Sequence, residues 1–258
     1  LIAEWGTEGT ENGQFRAPTG IALDSDGDVY IAESGNHRVQ KFTANGEWLA
    51  TWGSRGSGPG EFLSAMLVAV DADGRVYVSD WGNSRVQVFD SAGGVLRQIA
   101  APGTGPGEMT NPTGVAIGPG GDLWVMDRGN SRIQRFTLDG TFVQLWTQAG
   151  EGVFKSPTNI TFDKDGNWWV SEFAGHRVRQ FSPDGELLFE LAPGTFRGPH
   201  GLLFDSTGAL YVADTGNGVV RKFRLSPPTT AAPSTTPTPI PAPQNGVNET
   251  NFPLTLPA

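Results

Sequence analysis

The decapeptide Asp24-Ser-Asp-Gly-Asp-Val-Tyr-Ile-Ala-Glu33 recurs along this chain of 258 residues, and its recurrence decides the fold. Related stretches occupy residues 71–80, 118–127, 163–172 and 205–214, with Gly118 replacing the first aspartate in the third copy. The central glycines of the five copies are 47, 47, 45 and 42 residues apart. A period in the forties with four strand-like runs per unit is the pattern of a propeller blade.

Each unit is predicted to form four short strands joined by turns. In the first unit, the apolar residues 20–24 indicate an inner strand that is buried on both faces. Asp26-Gly27 marks a hairpin turn, because glycine tolerates a positive φ angle. Residues 28–33 and 38–42 then predict the second and third strands from their β-branched, aromatic or alternating residues. Residues 48–52 predict the outer strand.

Two residue types recur at fixed places in the unit. A large aromatic residue in the second strand predicts packing between blades, because such side chains dominate protein cores. These aromatic residues are Tyr30, Tyr77, Trp124, Trp169 and Tyr211. An acid ends the second strand, and in four units an arginine follows it five residues later, so we expect an ion pair across the hairpin with a structural role. The acids are Glu33, Asp80, Asp127, Glu172 and Asp214.

The runs Pro18-Thr-Gly-Ile-Ala-Leu-Asp24 and Gly35-Asn-His-Arg-Val-Gln-Lys-Phe42 closely resemble the NHL repeat, and residues 52–62 look like that family's connector between blades. The resemblance covers residues 1 to about 225 and implies a β-propeller. Relatives that act as lyases place several histidines and acids around the central channel to hold a metal. The chain departs from the pattern at Ala65-Met-Leu67, at Gly175 and at Val219, which stands where other units have arginine.

The two ends of the repeat region complement each other. Residues 5–15 align without gaps on residues 52–62, so residues 1–5 resemble an outer strand that lacks its inner partners. The fifth unit stops after its third strand, near Leu225. We therefore predict an all-β propeller of five four-stranded blades that is closed by the N-terminal strand, since closure removes free sheet edges. The alternative is a fragment of a six-bladed propeller.

Composition excludes several classes of function. The net charge of −9 argues against nucleic-acid binding, because such proteins carry a basic face. The absence of cysteine excludes disulfides and cysteine-bound metals. No apolar run approaches the roughly 20 residues of a membrane span. The start at Leu1, without a signal sequence, suggests a processed chain or a fragment.

Five equivalent positions at the start of the inner strands are candidates for the mouth of the channel. They are Thr19, Met66, Thr113, Thr158 and His200. A catalytic zinc site needs about three protein ligands, and His200 stands alone among these residues. His37 and His176 share another repeat position, which indicates turn chemistry. We therefore expect no metal, no cofactor and no catalytic residue, and predict that the chain is not an enzyme.

The turns after the second strands should lie on one end of the propeller, which we call the loop face. Its equivalent positions are Ser34, Trp81, Arg128, Phe173 and Thr215. Trp81, Arg128 and Phe173 are the candidates for binding a sugar or a protein. Coverage of the blade surface without any binding role is the alternative, since single exposed apolar residues are common.

The composition changes at Ser226, which gives three predicted segments: the propeller at 1–225, a Pro/Thr-rich stalk at 226–243 and a docking peptide at 244–258. Such a stalk is typical of extended, O-glycosylated extracellular segments. The candidate glycosylation sites are Asn159, Asn248, Thr229, Thr230, Thr235, Thr236 and Thr238. Phe252, Leu254 and Leu256 alternate, so an extended tail would present all three on one face.

These features favour a non-catalytic extracellular scaffold or interaction module that assembles into filaments through its tail. Its expected partners are other copies of itself and glycans, with no nucleic acid and no membrane span. Two alternatives stay open. One is a propeller lyase or hydrolase with a site in the channel, and the other is the ligand-binding ectodomain of a membrane-anchored sensor.

Overall fold

The structure is a computed structural model that describes residues 4–149 and 152–225. It consists of strands and three short 3-10 helices. From the N-terminus the strands are β1 (Thr7–Glu8), β2 (Gln14–Phe15), β3 (Pro18–Leu23), β4 (Val29–Glu33), β5 (Arg38–Phe42), β6 (Trp48–Trp52), β7 (Ser54–Arg55), β8 (Glu61–Phe62), β9 (Ala65–Val70), β10 (Val76–Asp80), β11 (Arg85–Phe89) and β12 (Val95–Ile99). They continue with β13 (Val115–Ile117), β14 (Leu123–Asp127), β15 (Arg132–Phe136), β16 (Phe142–Trp146), β17 (Gln148–Ala149), β18 (Gly152–Val153), β19 (Pro157–Phe162), β20 (Trp168–Glu172), β21 (Arg177–Phe181), β22 (Leu187–Leu191), β23 (Pro199–Phe204), β24 (Ala209–Asp214) and β25 (Val219–Arg224).

Five sheets correspond to the five sequence units, which confirms the predicted five-bladed, all-β propeller. Blades 1 to 4 are antiparallel meanders with the orders β3-β4-β5-β6, β9-β10-β11-β12, β13-β14-β15-β16 and β19-β20-β21-β22. Blade 5 has the order β23-β24-β25 in the described chain. Short two-stranded pairs, such as the parallel pair β7–β8, form the connectors between blades. The 3-10 helices Trp81–Asn83, Arg128–Asn130 and Thr215–Asn217 follow the second strands of blades 2, 3 and 5.

The repeated aromatic side chains of blades 1 to 4 pack against the following blade, as the sequence predicts, whereas Tyr211 of blade 5 is half-buried beside Lys222 of its own blade. Tyr30 of blade 1 is fully buried in a cluster with Phe62 and Phe89 of blade 2 and its connector. Trp124 of blade 3 lies 5.4 Å from the ring of Trp168 in blade 4. Burying such a side chain contributes roughly 1.5–3 kcal/mol, so these interfaces supply much of the folding free energy.

The repeated acid and arginine form the predicted ion pair in blades 1 to 4. The Arg85 Nε donates to Asp80 at 2.9 Å, and the rest of that guanidinium donates to the connector carbonyls of Ser57, Gly58 and Glu61. The Asp80 carboxylate also accepts the amide of Leu63 at 3.0 Å. The pair therefore fastens each hairpin to the connector before it, which is a structural role.

Blade 5 keeps its ion pair although Val219 replaces the repeat arginine. Arg221, two residues later, donates to Asp214 at 2.8 Å. Residues two apart on a strand share a face, so the guanidinium can approach the same carboxylate from the next position. The side chain of Arg221 is 33% exposed, whereas that of Arg85 is 5% exposed. The substitution therefore moves the ion pair to a wetter place without abolishing it.

The predicted closing strand, residues 1–5, falls mostly outside the described residues. Trp5 is described, and its ring packs over Gly46, where a Cβ would lie 2.6 Å away. Trp52 packs over Gly93 in the same way, with a corresponding distance of 2.7 Å. Trp5 therefore takes the place of the last residue in an outer strand. The described part of blade 5 has three strands rather than the predicted four, because the partner of β25 would have to come from those first residues.

The outward sides of blades 1 and 5 are uncovered. Ile21 of blade 1 is 70% exposed, whereas Ile160, at the same repeat position in blade 4, is 5% exposed. Val220 of blade 5 is 71% exposed, whereas its blade 1 counterpart Val39 is completely buried. The sequence keeps apolar residues at these positions in every unit, but no residue that the structure describes covers them in blades 1 and 5.

Several sequence-based predictions concern residues 226–258, which lie outside the described residues. They include the stalk, the tail glycosylation sites and the docking side chains Phe252, Leu254 and Leu256. The remaining glycosylation candidate, Asn159, is half-buried within β19, which is an inner strand rather than an exposed loop. Within the described ranges, no helix is long and apolar enough to cross a membrane.

Candidate functional site

The loop face is built from tight turns that end in left-handed residues. The 3-10 helices of blades 2, 3 and 5 are followed by Ser84, Ser131 and Gly218, which have φ angles of 54°, 52° and 66°. His37 and His176 occupy the same place in blades 1 and 4, with φ angles of 55° and 52°. The Nδ1 atom of His176 accepts the Gly198 amide at 2.9 Å. The shared position of these two histidines therefore reflects turn geometry, as predicted.

Two side chains meet at one part of the loop face, and a histidine lies within range of the charge on one of them. The guanidinium carbon of Arg128 lies 5.5 Å from the centre of the Phe173 ring, on the turn of the next blade. His200, at the start of β23, is half-buried and close enough to Arg128 to feel its charge. Arg128 forms no ion pair with any described residue. A cation over a ring, next to an imidazole, is an arrangement that can bind a ligand with an apolar part and a negative or carbonyl oxygen.

His200 is held in its neutral form near pH 7. Burial, together with the positive charge of Arg128, lowers the pKa of this imidazole below its usual value of 6.5. A neutral imidazole can accept a proton from a bound molecule. The backbone carbonyl of His200 accepts a hydrogen bond from the Ser171 hydroxyl at 2.6 Å, and this bond fixes the start of β23 against blade 4.

Trp81 lies apart from this group, on the turn of blade 2. It is 39% exposed, and its carbonyl accepts the side-chain amide of Asn111 at 3.0 Å. Phe173 is 36% exposed. The predicted loop-face candidates are therefore accessible, and two of them, Arg128 and Phe173, contact each other.

The residues predicted for the channel mouth divide into two kinds. Thr113 and Thr158 are fully buried, and the Thr113 hydroxyl donates to Pro157 O in the next blade at 3.1 Å. Thr19 donates to Ala65 O at 3.1 Å in the same way. The hydroxyls of these threonines therefore connect neighbouring blades. Thr113 and Thr158 do not line an open channel, whereas Thr19 is exposed. Met66 and His200 are half-buried.

Sequence reasoning placed His200 in one group of candidates and Arg128 and Phe173 in another. The structure brings Arg128 and Phe173 into contact and places His200 within range of the Arg128 charge, because the start of an inner strand and the turn after a second strand lie at the same end of a blade. The repeat alignment shows that these positions lie at the same end of each blade. It does not show which side chains of different blades come close, because that depends on the rotation between neighbouring blades. In the described part of the chain, no group of three or more His, Cys, Asp or Glu side chains could hold a metal ion.

Comparison with known proteins places this geometry in a family. A family model described as the virginiamycin B lyase family matches residues 10–222. Among solved structures, a catalytically inactive His-to-Ala variant of virginiamycin B lyase from Staphylococcus aureus with quinupristin has a TM-score of 0.63 at 20% identity, over 86% of this chain and 74% of that one. A nidogen/laminin complex gives a TM-score of 0.67 at 19% identity, over 83% and 78%. At these identities both likenesses show the propeller fold alone.

A curated relative matches a smaller part of the chain. B-box type zinc finger protein ncl-1 from Caenorhabditis elegans is 38% identical over 45 residues, which are 17% of this chain and 5% of that protein. The family shown by the comparisons is thus the virginiamycin B lyase family, and the resemblance to the NHL repeat holds at the level of a propeller repeat. The prediction that the chain is not an enzyme is contradicted by the match of residues 10–222 to a lyase family and by its lyase structural neighbours.

Proposed function

This chain belongs to the virginiamycin B lyase family, and we propose that it uses the propeller as an extracellular interaction module whose loop face binds the C-terminal segment of another copy. The observation that carries this proposal is the cluster of Arg128 and Phe173, because it offers an accessible ring and a cation that no described carboxylate neutralises. Trp81 adds a second exposed aromatic surface on the same face.

The composition of the tail complements this face. Residues 226–258 contain no Lys or Arg and one acid, Glu249, so the tail brings only negative charge to Arg128. Phe252, Leu254 and Leu256 would present three apolar side chains to exposed aromatic rings. Burying each of them would contribute roughly 1.5–3 kcal/mol before the tail's ordering cost.

The stalk has the length to reach a neighbouring molecule. Its about 17 residues between Pro227 and Pro243 would span roughly 50 Å as polyproline II, at ~3.1 Å per residue. Contact between the tail of one copy and the loop face of the next is heterologous, and such contacts propagate into filaments unless they close into a ring.

The extracellular location in this proposal is supported by the Ser/Thr/Pro composition of residues 226–243, which is typical of O-glycosylated stalks. We expect glycans on the stalk threonines and on Asn248. Mass spectrometry of tryptic peptides from the native protein tests this. Unmodified tail peptides throughout would remove the support for an extracellular stalk.

Sedimentation velocity over a range of concentrations tests the assembly. The full chain should form oligomers, and deletion of residues 244–258 should leave a monomer. Phe173→Ala and Arg128→Ala should weaken assembly, as should Trp81→Ala. Trp48→Ala is the matched control, because Trp48 is an equally exposed tryptophan on the outer strand β6. A full chain that stays monomeric at high concentration, or a deletion that assembles like the full chain, contradicts the proposal.

A lyase reaction at the same face is the second candidate function. It is favoured by the family match and by the neutral His200 imidazole beside Arg128. In an elimination, His200 would accept the proton from one substrate carbon as the bond from the adjacent carbon to the leaving group breaks and a double bond forms between the two carbons. Arg128 would stabilise the negative charge that the leaving group carries away. The relative with quinupristin loses activity when one histidine is replaced by alanine.

Incubation with quinupristin, followed by liquid chromatography, tests this second candidate. The lyase reaction would be supported if the wild-type chain consumes quinupristin and the His200→Gln variant still binds quinupristin but leaves it intact. The rate should fall as pH drops through the pKa of His200, because protonation removes the base. Quinupristin that remains intact with the wild-type chain would reject a lyase reaction on this substrate.

A further inference from the structure

The turns between the first and second strands lie at the end of the propeller opposite the loop face, and most of them contain an aspartate that accepts several hydrogen bonds. In blade 4, one oxygen of Asp163 accepts the amides of Asp165 and Asn167, each at 3.0 Å. The other oxygen accepts the indole N–H of Trp169 at 3.1 Å and the side-chain amide of Gln180 at 3.0 Å. Asp24, Asp71 and Asp205 accept the corresponding pair of backbone amides in blades 1, 2 and 5.

Blade 3 has the same turn without the carboxylate, because Gly118 stands at this position. The turn backbone is unchanged: the Gly121 amide donates to Gly118 O at 2.9 Å, and the Gly166 amide donates to Asp163 O at 3.1 Å. Gly120 and Asp122 correspond to Asp165 and Asn167 of blade 4. Their amides have no acceptor among the residues that the structure describes.

Two side-chain donors of blade 3 also lack the acceptor that their counterparts have. Trp124 corresponds to Trp169, and a Cβ on Gly118 would lie 2.5 Å from its Nε1 atom, so the indole nitrogen lies at the place where the missing side chain would begin. Arg135 corresponds to Gln180. Its Nε is buried without a hydrogen-bond partner, and the nearest carboxylate oxygen, on Asp122, is 3.6 Å away.

A cavity of about 160 Å³ opens beside these donors, between blades 3 and 4. Phe162 and Trp168 form its apolar wall. The polar side is formed by Trp124, Gly120, Arg135 and Asp122, whose carboxylate lies 3.6 Å from the Arg135 Nε. Trp168 is 1% exposed, and its indole N–H has no partner in the described part of the chain. An apolar cavity of about 150 Å³ is large enough for one benzene ring. The cavity therefore has room for a ring next to a group of N–H donors.

We propose that this cavity binds a small aromatic carboxylate from solution, whose carboxylate takes the role of the aspartate that blade 3 lacks. Its oxygens would accept the amides of Gly120 and Asp122 and the N–H groups of Trp124 and Arg135, and its ring would lie against Phe162 and Trp168. The repeat itself supports this choice of ligand, because the corresponding pair of backbone amides, together with side-chain donors that differ between blades, binds a carboxylate in the other four blades. The site is independent of the function proposed for the loop face.

Calorimetric titration of the full chain with benzoate tests the proposal, with benzyl alcohol as the neutral comparison. Benzoate should bind saturably to one site, and benzyl alcohol at least about tenfold more weakly, because hydrogen bonds to an ionised acceptor are the strong ones. Equal affinity for the two compounds, or no saturable binding of benzoate, overturns the proposal.

Gly118→Asp supplies the carboxylate internally and should abolish benzoate binding. Thr207→Asp is the matched control, because it adds the same charge to the equivalent turn of blade 5, away from the cavity, and should leave benzoate binding unchanged. Arg135→Gln, which installs the blade 4 residue, should weaken benzoate binding about tenfold without adding bulk. It therefore keeps the proposal testable if Gly118→Asp fails to fold. Benzoate affinity that is unchanged in both Gly118→Asp and Arg135→Gln contradicts the site.

Discussion

The covered and the uncovered sides of the blades present the same repeat positions in different surroundings. Val39 of blade 1 is buried against blade 2, whereas Val220, its counterpart in blade 5, is exposed. Ile160 of blade 4 is buried against blade 3, whereas Ile21 of blade 1 is exposed. Each blade thus has two different sides, one for the blade before it and one for the blade after it. The comparison shows that the repeat encodes both sides even where no described neighbour covers them.

This difference predicts that identical substitutions will have unequal costs. Where a neighbouring blade covers the position, the residue is held by close packing, and changing it leaves a cavity or a buried charge. At the uncovered sides, water already contacts the residue. Matched pairs of substitutions at equivalent positions can therefore break or sharpen the comparison.

The largest difference is expected for aspartate at the valine position of the third strand. Val39→Asp would bury a carboxylate without a partner, and we expect it to cost more than about 4 kcal/mol or to prevent folding. Val220→Asp should change the free energy of unfolding by less than about 0.5 kcal/mol. Urea unfolding followed by tryptophan fluorescence measures both. A comparable loss in Val220→Asp would mean that the side of blade 5 is covered in solution.

The next difference concerns the ion pairs. Arg85→Ala leaves the fully buried Asp80 carboxylate without its partner, and we expect a loss of about 3–5 kcal/mol. Arg221→Ala in blade 5 removes a partly exposed guanidinium, so water can replace it and the loss should be about 1 kcal/mol or less. The same unfolding experiment compares them. Equal losses would show that exposure does not set the strength of these pairs.

A smaller difference is expected for truncation of isoleucine. Ile160→Ala should cost about 2–4 kcal/mol through lost burial and the cavity it leaves. Ile21→Ala removes a side chain that is mostly in water and should cost less than about 0.5 kcal/mol. Thermal unfolding of the two variants is sufficient to rank them, and the reverse ranking would contradict the assignment of the uncovered side.

The smallest expected effect is a change in acid sensitivity. Burial by itself would raise the pKa of Asp71, but hydrogen bonds from the backbone and side chain of Arg75 and from Tyr77 outweigh it and lower the pKa below 3.8. A lowered pKa stabilises the fold above the unfolded-state pKa, and this stabilisation is lost as the pH falls through the folded-state pKa. Asp71→Asn should therefore flatten the loss of stability below about pH 4. An unchanged pH profile would remove Asp71 as a source of acid sensitivity.

The sequence predicts the architecture well because each structural element occurs five times. The Asp80–Arg85 pair and the packing of Tyr30 could be expected, since their residue types recur at one spacing. The contact of Arg128 with Phe173, with His200 in range of the Arg128 charge, could not, because it depends on the rotation between neighbouring blades. Gly118 was visible as a departure from the repeat, but its consequence depends on where the donors of Trp124 and Arg135 point.

The role of the threonines also needed coordinates. Thr113 and Thr158 are at a position that could face either a channel or the next blade, and the sequence pattern is the same in both cases. The structure shows that the Thr113 hydroxyl donates to the adjacent blade. The tail, by contrast, was assigned from composition alone, and its docking remains a prediction.

Two kinds of surface could receive the tail: the loop face and the uncovered sides of blades 1 and 5. Hydrogen–deuterium exchange on the full chain, at a concentration where it assembles and at one where it does not, distinguishes them most directly. We predict that assembly slows exchange in the turns around Trp81, Arg128 and Phe173 and leaves β3 and β25 unchanged. Slower exchange in β3 and β25, with the loop-face turns unchanged, would contradict the proposed binding surface.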